Sequence, residues 1–154
     1  MLKVFRRSIA TAVVFGCLQV NIAGTALANQ PVNVFVNSDA IHGDQPAYLE
    51  EVTNITYVPL RAVVEALNGT VNWDSNAQEI TIEKNGKIYQ LRIGSDKVLI
   101  DGKKTLIDAP VQLNKETMRS LVPLRFFSDV VQCEVKVSAT AGVGIFDENS
   151  SQLK

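Results

Sequence analysis

The sequence predicts an α+β fold in which two short helices pack against mostly antiparallel strands. Three observations predict this class. The tetrapeptide Val-Pro-Leu-Arg occurs at residues 58–61 and again at residues 122–125. Each copy opens a segment whose apolar residues recur at helical spacing. The remaining segments are short, rich in Val, Ile and Leu, and bounded by turn dipeptides, which is typical of antiparallel strands in α+β proteins.

The start of the chain has the pattern of a secretory signal peptide. Basic residues come first, an uncharged and largely apolar run follows, and Ala26-Leu27-Ala28 places small residues at the minus-three and minus-one positions of a cleavage site. The basic residues are Lys3, Arg6 and Arg7. We predict cleavage after Ala28. Residues 29–154 then form the mature domain, which is secreted or associated with the cell envelope.

Two alternatives to a cleaved signal are weaker. An uncleaved anchor is disfavoured because Gln19 and Asn21 interrupt an apolar run that is shorter than the roughly 20 residues of a spanning helix. Acylation of Cys17 is disfavoured because the bulky Phe15 precedes it and the apolar run continues beyond it. We therefore expect no membrane association after cleavage.

Charge and cysteine content narrow the function of the mature domain. Loss of three of the 15 basic residues leaves 12 against 16 acidic residues, a formal net charge of −4. Nucleic-acid binding is excluded because it needs clustered basic residues. Cys133 is then the only mature cysteine, so no internal disulfide can form. Its apolar neighbours Val130, Val131 and Val135 predict a buried, structural thiol.

The chain resembles itself at an offset of 64 residues. Residues 34–36 fall on residues 98–100, and Asp44 and Pro46 fall on Asp108 and Pro110. We predict that the fold is built from two tandem repeats of one β-rich and helical unit, at about residues 34–82 and 98–146. A repeated unit is explained more simply by repeated packing than by two catalytic centres.

The two predicted helices follow the tetrapeptides. Pro59 suits a helix start because its missing N–H would be unpaired there anyway. Asn68-Gly69 suits a left-handed helix end. The first apolar stripe consists of Leu60, Val63, Val64 and Leu67, and the second of Leu124, Phe127 and Val131.

Two hairpins are predicted from turn dipeptides. Asn85-Gly86 indicates a two-residue type I′ turn, and Asp101-Gly102 indicates a second hairpin by the same logic. The first turn and the alternation of its flanking residues agree on one register. In that register the opposed pairs are Ile82 with Tyr89, Ile80 with Leu91, Thr81 with Gln90 and Glu79 with Arg92.

Three long motifs resemble those of a known family. They are TYVPLRAVVEALNGTVNWD at 56–74, IGSDKVLIDGKKTLIDAPVQL at 93–113 and LVPLRFFSDVV at 121–131. The chain is similar over about residues 34–146 to the stalk domain, also called the copper amine oxidase N-terminal-like domain, of exported bacterial proteins. The resemblance implies an antiparallel sheet wrapped round a helix, in a protein of the cell envelope.

The residues do not support the copper or the oxidation in that family's name. Copper and zinc sites draw on His and Cys, and the mature chain offers only His42 and Cys133, far apart in sequence. We therefore predict no metal and no cofactor, and interpret His42 as a loop residue. No nucleophile elbow and no phosphate-binding glycine loop occurs either, so we predict that the chain is not an enzyme.

The candidate ligand-binding residues are few. Arg61 with Glu65, and Arg125 with Asp129, are spaced as ion pairs at each helix start. They form either an anion clamp or, as we favour, pairs in which the arginine also pins the helix to strand carbonyls. Trp73 is interpreted as a core or half-buried strand residue. If carbohydrate is bound, it would stack on Trp73 together with Tyr57 or Tyr89.

Two functions remain. The favoured one is an exported, non-catalytic envelope module that binds cell-wall polymer or another exported protein. The alternative is a secreted enzyme or enzyme inhibitor with a site built from loop acids. Those acids are Asp39, Asp44, Glu50 and Glu51. Self-association through sheet edges is a further possibility that the sequence leaves open.

Overall fold

A computed structural model describes residues 29–148. The predicted signal peptide and Cys17 lie outside the described residues. The strands are, in chain order, β1 Gln30–Val32, β2 Val34–Val36, β3 Asp39–Ala40, β4 Ala47–Glu50, β5 Ile55–Pro59, β6 Thr70–Asp74, β7 Glu79–Lys84, β8 Lys87–Arg92, β9 Lys97–Ile100, β10 Lys103–Leu106, β11 Gln112–Asn114, β12 Arg119–Pro123, β13 Glu134–Ser138 and β14 Gly142–Phe146. The helix α1 spans Leu60–Ala66, and a π-helix spans Phe126–Val130.

The strands of the described residues form three sheets. Their orders are β1-β4-β5-β12-β11, β10-β9-β8-β7-β6 and β13-β14-β2-β3. Every pairing between these strands is antiparallel except that of β14 with β2. The predicted class, mostly antiparallel sheet with few helices, is confirmed.

The two Val-Pro-Leu-Arg segments lie side by side. Strands β5 and β12 are antiparallel neighbours, with Val58 opposite Val122. Strand β5 runs directly into α1, and β12 is followed after two residues by the π-helix. Both valines are fully buried. The tetrapeptides therefore serve packing at the centre of one sheet, whereas the tandem duplication itself stays a prediction.

Helix α1 begins and ends as its sequence predicts. The side chains of its apolar stripe are all buried. Asn68 has a φ of 60°, the N–H of Asn68 donates to the Glu65 carbonyl at 3.0 Å, and the N–H of Gly69 donates to the Val64 carbonyl at 2.9 Å. These two bonds form a Schellman motif, with asparagine at the left-handed position. A Cβ at Gly69 would lie 2.7 Å from Val64 Cγ1, which explains the glycine that follows.

The second helical segment is a π-helix, which sequence spacing did not predict. The N–H of Val131 donates to the carbonyl of Phe126, five residues earlier, at 3.1 Å. Phe126 and Phe127 are both fully buried, and their rings meet edge to face with centroids 5.2 Å apart. We attribute the wider turn to the burial of these two consecutive rings. The predicted apolar stripe is nevertheless buried.

Both predicted hairpins are confirmed. Asn85 and Gly86 have φ angles of 51° and 73°, as a type I′ turn requires, and all four predicted opposed pairs are found between β7 and β8. Asp101 and Gly102 have φ angles of 48° and 81° between β9 and β10. The turn residues and the alternation of the strands thus determine the register locally.

The core of the described part lies between residues 34 and 145. One large cluster is enclosed by the three sheets and contains the buried side chains of both helical segments. A smaller cluster of Tyr57, Ala109 and Leu121 packs on the outer part of the first sheet. A chain that starts at Asn29 therefore retains the whole of this core.

Cys133 is buried in the main cluster, as its apolar neighbours predicted. Burial, more than any nearby charge, raises the pKa of its thiol to about 11. The thiolate is the reactive form of cysteine. In a chain that starts at Asn29, we therefore expect Ellman's reagent at about pH 8 to label Cys133 only after guanidinium is added. Stoichiometric labelling of the native protein within minutes would contradict this placement.

Candidate functional site

A groove of about 360 Å³ opens where four parts of the fold meet. Its walls are the loop of residues 41–45, the first turns of α1, the inner face of β6 with β7, and the turn between β11 and β12. This volume lies within the range of about 300–1,000 Å³ that is usual for ligand sites. The floor is aliphatic and consists of Ile41, Val71, Ile80, Ile93 and Leu113.

Trp73 lies on the groove because of its place on an edge strand. Strand β6 is the outermost strand of its sheet, and Trp73 stands opposite Ile80, on the same face as Val71. Both neighbours are buried, yet Trp73 is 45% exposed. The inner face of this sheet is therefore covered by other elements at Val71 and Ile80 but left partly uncovered at Trp73. Trp73 thus lies on a strand, as predicted, but its side chain is exposed and not part of the core.

Met118 enters the groove from the turn between β11 and β12. Its side chain is 68% exposed and its φ is 55°, in the left-handed region that costs a non-glycine residue roughly 1–2 kcal/mol. Asn114 Oδ1 shapes the turn by accepting the N–H of Glu116 at 2.9 Å. At the position 64 residues earlier the chain has Asn54, also left-handed with a φ of 57°. A large apolar side chain thus occupies a position that suits Asn or Gly.

Arg61 borders the groove and is already engaged. Its Nη1 lies 3.4 Å from Glu65 Oε1 and donates to the Val71 carbonyl at 3.0 Å. The predicted ion pair one helical turn apart is confirmed, and the guanidinium also ties α1 to β6. Arg61 is therefore a pinning residue more than a free anion receptor.

A second ion pair borders the opposite side of the groove. Arg119 donates three hydrogen bonds of 3.1–3.2 Å to the Asp44 carboxylate. The hydrogen bonds from Arg119 lower the pKa of Asp44 below its ordinary value. Beside it, the buried Gln45 accepts the Thr117 hydroxyl at 2.7 Å. The loop is thereby fastened to the turn that carries Met118.

A family model described as the copper amine oxidase N-terminal domain matches residues 35–144. The chain belongs to this family. The resemblance seen in the sequence is confirmed by this match. The copper amine oxidase N-terminal domain is a non-catalytic, stalk-like domain. A search of curated protein sequences found no significant match.

The residues of this stalk-like domain do not fit the copper of the family name. His42 is exposed in the loop beside the groove, whereas Cys133 is buried in the core. Between residues 29 and 148, no three His, Cys, Asp or Glu side chains lie close enough together to hold a metal ion. In the same part of the chain, no helix has the length and apolar character that a membrane crossing demands.

Three of the sequence-predicted site residues lie away from the groove. Tyr57 and Tyr89 are only 2% exposed, so neither can offer a ring face to a sugar beside Trp73. Tyr57 belongs to the small core cluster, and Tyr89 packs edge-on against Phe126. Their predicted part in a stacking platform is wrong, because both rings are covered. Tyr89 points from β8 into the main core, whereas Tyr57 packs with Ala109 and Leu121 on the other face of the first sheet.

Arg125 is also placed differently from its predicted pairing. Its Nε lies 3.4 Å from Asp108 Oδ2, while Asp129 accepts the hydroxyl of Ser128 at 2.7 Å. The predicted pair of Arg125 with Asp129 assumed α-helical spacing, which the π-helix does not provide. Of the five candidate ligand residues, the groove brings together Trp73 and Arg61.

Three of the four predicted loop acids have separate partners, and the fourth, Asp39, lies on β3. Asp44 is held by Arg119, Glu50 accepts the hydroxyl of Thr53, and Glu51 accepts the side-chain amide of Gln30. A general acid needs a carboxyl group whose pKa is raised toward neutrality, and that of Asp44 is lowered. Sequence reasoning missed Met118 and Arg119. The mismatch of Met118 with Asn54 at the repeat offset was the one signal that could have found them.

Proposed function

We propose that this chain is an exported, non-catalytic cell-envelope module that binds cell-wall polymer or another exported protein through the groove. The half-exposed Trp73 at the edge of an aliphatic floor carries the proposal. An uncovered large aromatic ring beside an apolar cleft is typical of a binding surface. Export is supported by the basic, apolar and small-residue pattern of the first 28 residues.

The charges of the groove favour binding over catalysis. Both arginines on its border are paired with carboxylates, and the hydrogen bonds from Arg119 lower the pKa of Asp44 instead of raising it. Enzymes that use two carboxyl groups need environments that push their pKa values apart, with one raised. The groove instead offers apolar contact area and a border whose charges are balanced, which suit a receptor.

Replacement of Trp73 with serine is expected to weaken binding by about 30-fold in Kd, or about 2 kcal/mol, because central aromatic residues dominate binding energy. A chain that starts at Asn29 would be sedimented with purified cell walls, and separately mixed with the exported proteins of the same cells. Trp73 is the only tryptophan, so its emission reports directly on the groove.

The matched control is Leu106→Ser. Leu106 is also an exposed large apolar side chain, but it lies on β10 outside the groove. We expect it to bind as the wild type does. Equal binding by the Trp73→Ser protein would remove the groove from the proposal. Turnover of a wall substrate that is lost in Asp44→Asn would establish the enzymatic alternative.

A further inference from the structure

Of the two proposed ligand classes, cell-wall polymer and exported protein, the groove favours the protein. This inference rests on the proposed function. We propose that the groove binds an uncharged, apolar peptide segment of a protein partner, extended along the edge of β6. Trp73 and Met118 are the two anchoring side chains.

The floor of the groove disfavours sugars. Its side chains are aliphatic, and none of them can donate or accept a hydrogen bond. A sugar hydroxyl pressed against them would lose water without a replacement partner, which costs free energy. Apolar side chains of a peptide give up no hydrogen bonds to water there, and each buried CH₂ group contributes about 0.8 kcal/mol to the free energy of binding.

The border of the groove is complementary to a neutral segment. It carries two cations and two anions, and Arg61 is paired with Glu65 just as Arg119 is paired with Asp44. An anionic wall polymer would have to displace one of these carboxylates to reach an arginine. A segment without charges leaves both pairs intact and gains from the apolar floor.

The backbone of β6 is oriented to receive an added strand. The Val71 carbonyl is directed to Arg61 on α1, and therefore away from β7. Residues two apart in an antiparallel strand direct their N–H and C=O groups to the same side. The N–H and C=O of Trp73 are therefore directed to the outer side of this edge strand. Strand addition at such an edge uses backbone hydrogen bonds for affinity and pockets for alternate side chains.

Met118 supplies the second anchor. Methionine is flexible and adapts to varied apolar partners, so it is common on surfaces that bind peptides. Its left-handed φ of 55° and its exposure make it a poor choice for stability alone. Contact with a partner accounts for a side chain that neither caps the turn nor fills the core.

A selection experiment tests the inference. A phage-displayed random heptamer library would be selected on the chain from Asn29 and counter-selected on a Trp73→Ser/Met118→Gly double variant. We expect heptamers with alternating apolar residues and few charges. Synthetic versions should shift the Trp73 emission and bind Met118→Gly at least about tenfold more weakly. The melting temperature of Met118→Gly should not fall, because glycine suits a positive φ.

Val137→Gly is the control for loss of an exposed apolar side chain, since Val137 is exposed on β13 outside the groove. It should bind the selected heptamers as the wild type does. Charged heptamers, or binding unchanged by Met118→Gly, would overturn the inference. If an N-acetylglucosamine hexamer instead shifts Trp73 emission, and Trp73→Ser abolishes its binding, the proposed function stands and the peptide inference falls.

Two other occupants of the groove can be distinguished experimentally from a partner peptide. A dimer in sedimentation that Met118→Gly dissociates would identify a second copy of the chain and overturn the inference. A change of Trp73 emission on deletion of residues 149–154 would identify that segment as the occupant, with the same consequence. If neither peptide, glycan nor wall binds in a Trp73-dependent way, both the inference and the proposed function fail.

Discussion

Replacement of Asp147 with asparagine is expected to lower the free energy of unfolding by about 3–5 kcal/mol. Lys84 is buried, with 4% of its surface exposed, and its Nζ donates to Asp147 Oδ2 at 2.6 Å. The same ammonium group donates to the Leu67 carbonyl, at the end of α1, at 3.0 Å. Asparagine keeps the size of the side chain but removes its charge, which leaves a buried cation without its counter-ion.

The position of this ion pair explains why its loss is costly. Lys84 ends β7, Leu67 follows α1, and Asp147 follows β14, so one ammonium group joins three parts of the fold. The N–H of Asp147 also donates to Asn37 Oδ1 at 3.1 Å, close to the end of β2. Desolvation of an unpaired charge, and not the gross attraction of the pair, is the main cost.

Guanidinium unfolding of the single variants and of Lys84→Met/Asp147→Asn checks this expectation. The free energy of unfolding should fall less in the double variant than in Asp147→Asn alone, because no buried charge remains. Glu79→Gln is the control, because it removes an ion pair whose cation is exposed to solvent. It breaks the pair with the exposed Arg92 and should cost no more than about 1 kcal/mol. If Asp147→Asn and Glu79→Gln lower the free energy of unfolding equally, the buried pair stabilises the fold no more than an exposed one.

Replacement of Gly142 with alanine is expected to cost at least about 3 kcal/mol, from backbone strain and overpacking together. Gly142 has a φ of 100°, and a Cβ there would lie 2.3 Å from the Asn33 carbonyl oxygen. That carbonyl accepts the N–H of Val143 at 2.8 Å beside the parallel pairing of β14 with β2. The backbone cannot yield without breaking this junction.

Gly86→Ala is the matched control for the strain alone. Gly86 also has a positive φ, of 73°, but a Cβ there would meet no atom within 4 Å. We expect it to cost only about 1–2 kcal/mol, the price of a left-handed L-residue. Urea denaturation of both variants separates the two contributions. If Gly142→Ala lowers the free energy of unfolding no more than Gly86→Ala does, the close approach to Asn33 is contradicted.

The features that the sequence predicted correctly depend on residues near one another in the chain. The stripe of α1, its end at Asn68-Gly69 and the register around Asn85-Gly86 are each set by contacts that span a few residues. Even Cys133 was predicted from its immediate neighbours. The structure places it in the core, in agreement with the apolar character of that segment.

The features that the sequence did not predict depend on distant segments. Asp44 meets Arg119 across 75 residues, and the buried Lys84 meets Asp147 across 63. A π-helix is found where spacing predicted an α-helix, and the two adjacent phenylalanines within it are both fully buried.

By itself, the sequence determined the class of fold, the two hairpins and the register of the first, the buried helix stripes and the family resemblance, because turn chemistry and periodicity act locally. Only the tertiary structure decided that Tyr57 and Tyr89 are buried while Trp73 is left at the edge of a groove with Met118. All three aromatic residues lie on strands, each with an apolar residue one or two positions away, and the sequence does not distinguish them. The difference arises because other segments cover the central strands β5 and β8 where the two tyrosines lie, whereas they stop short of the end of the edge strand β6.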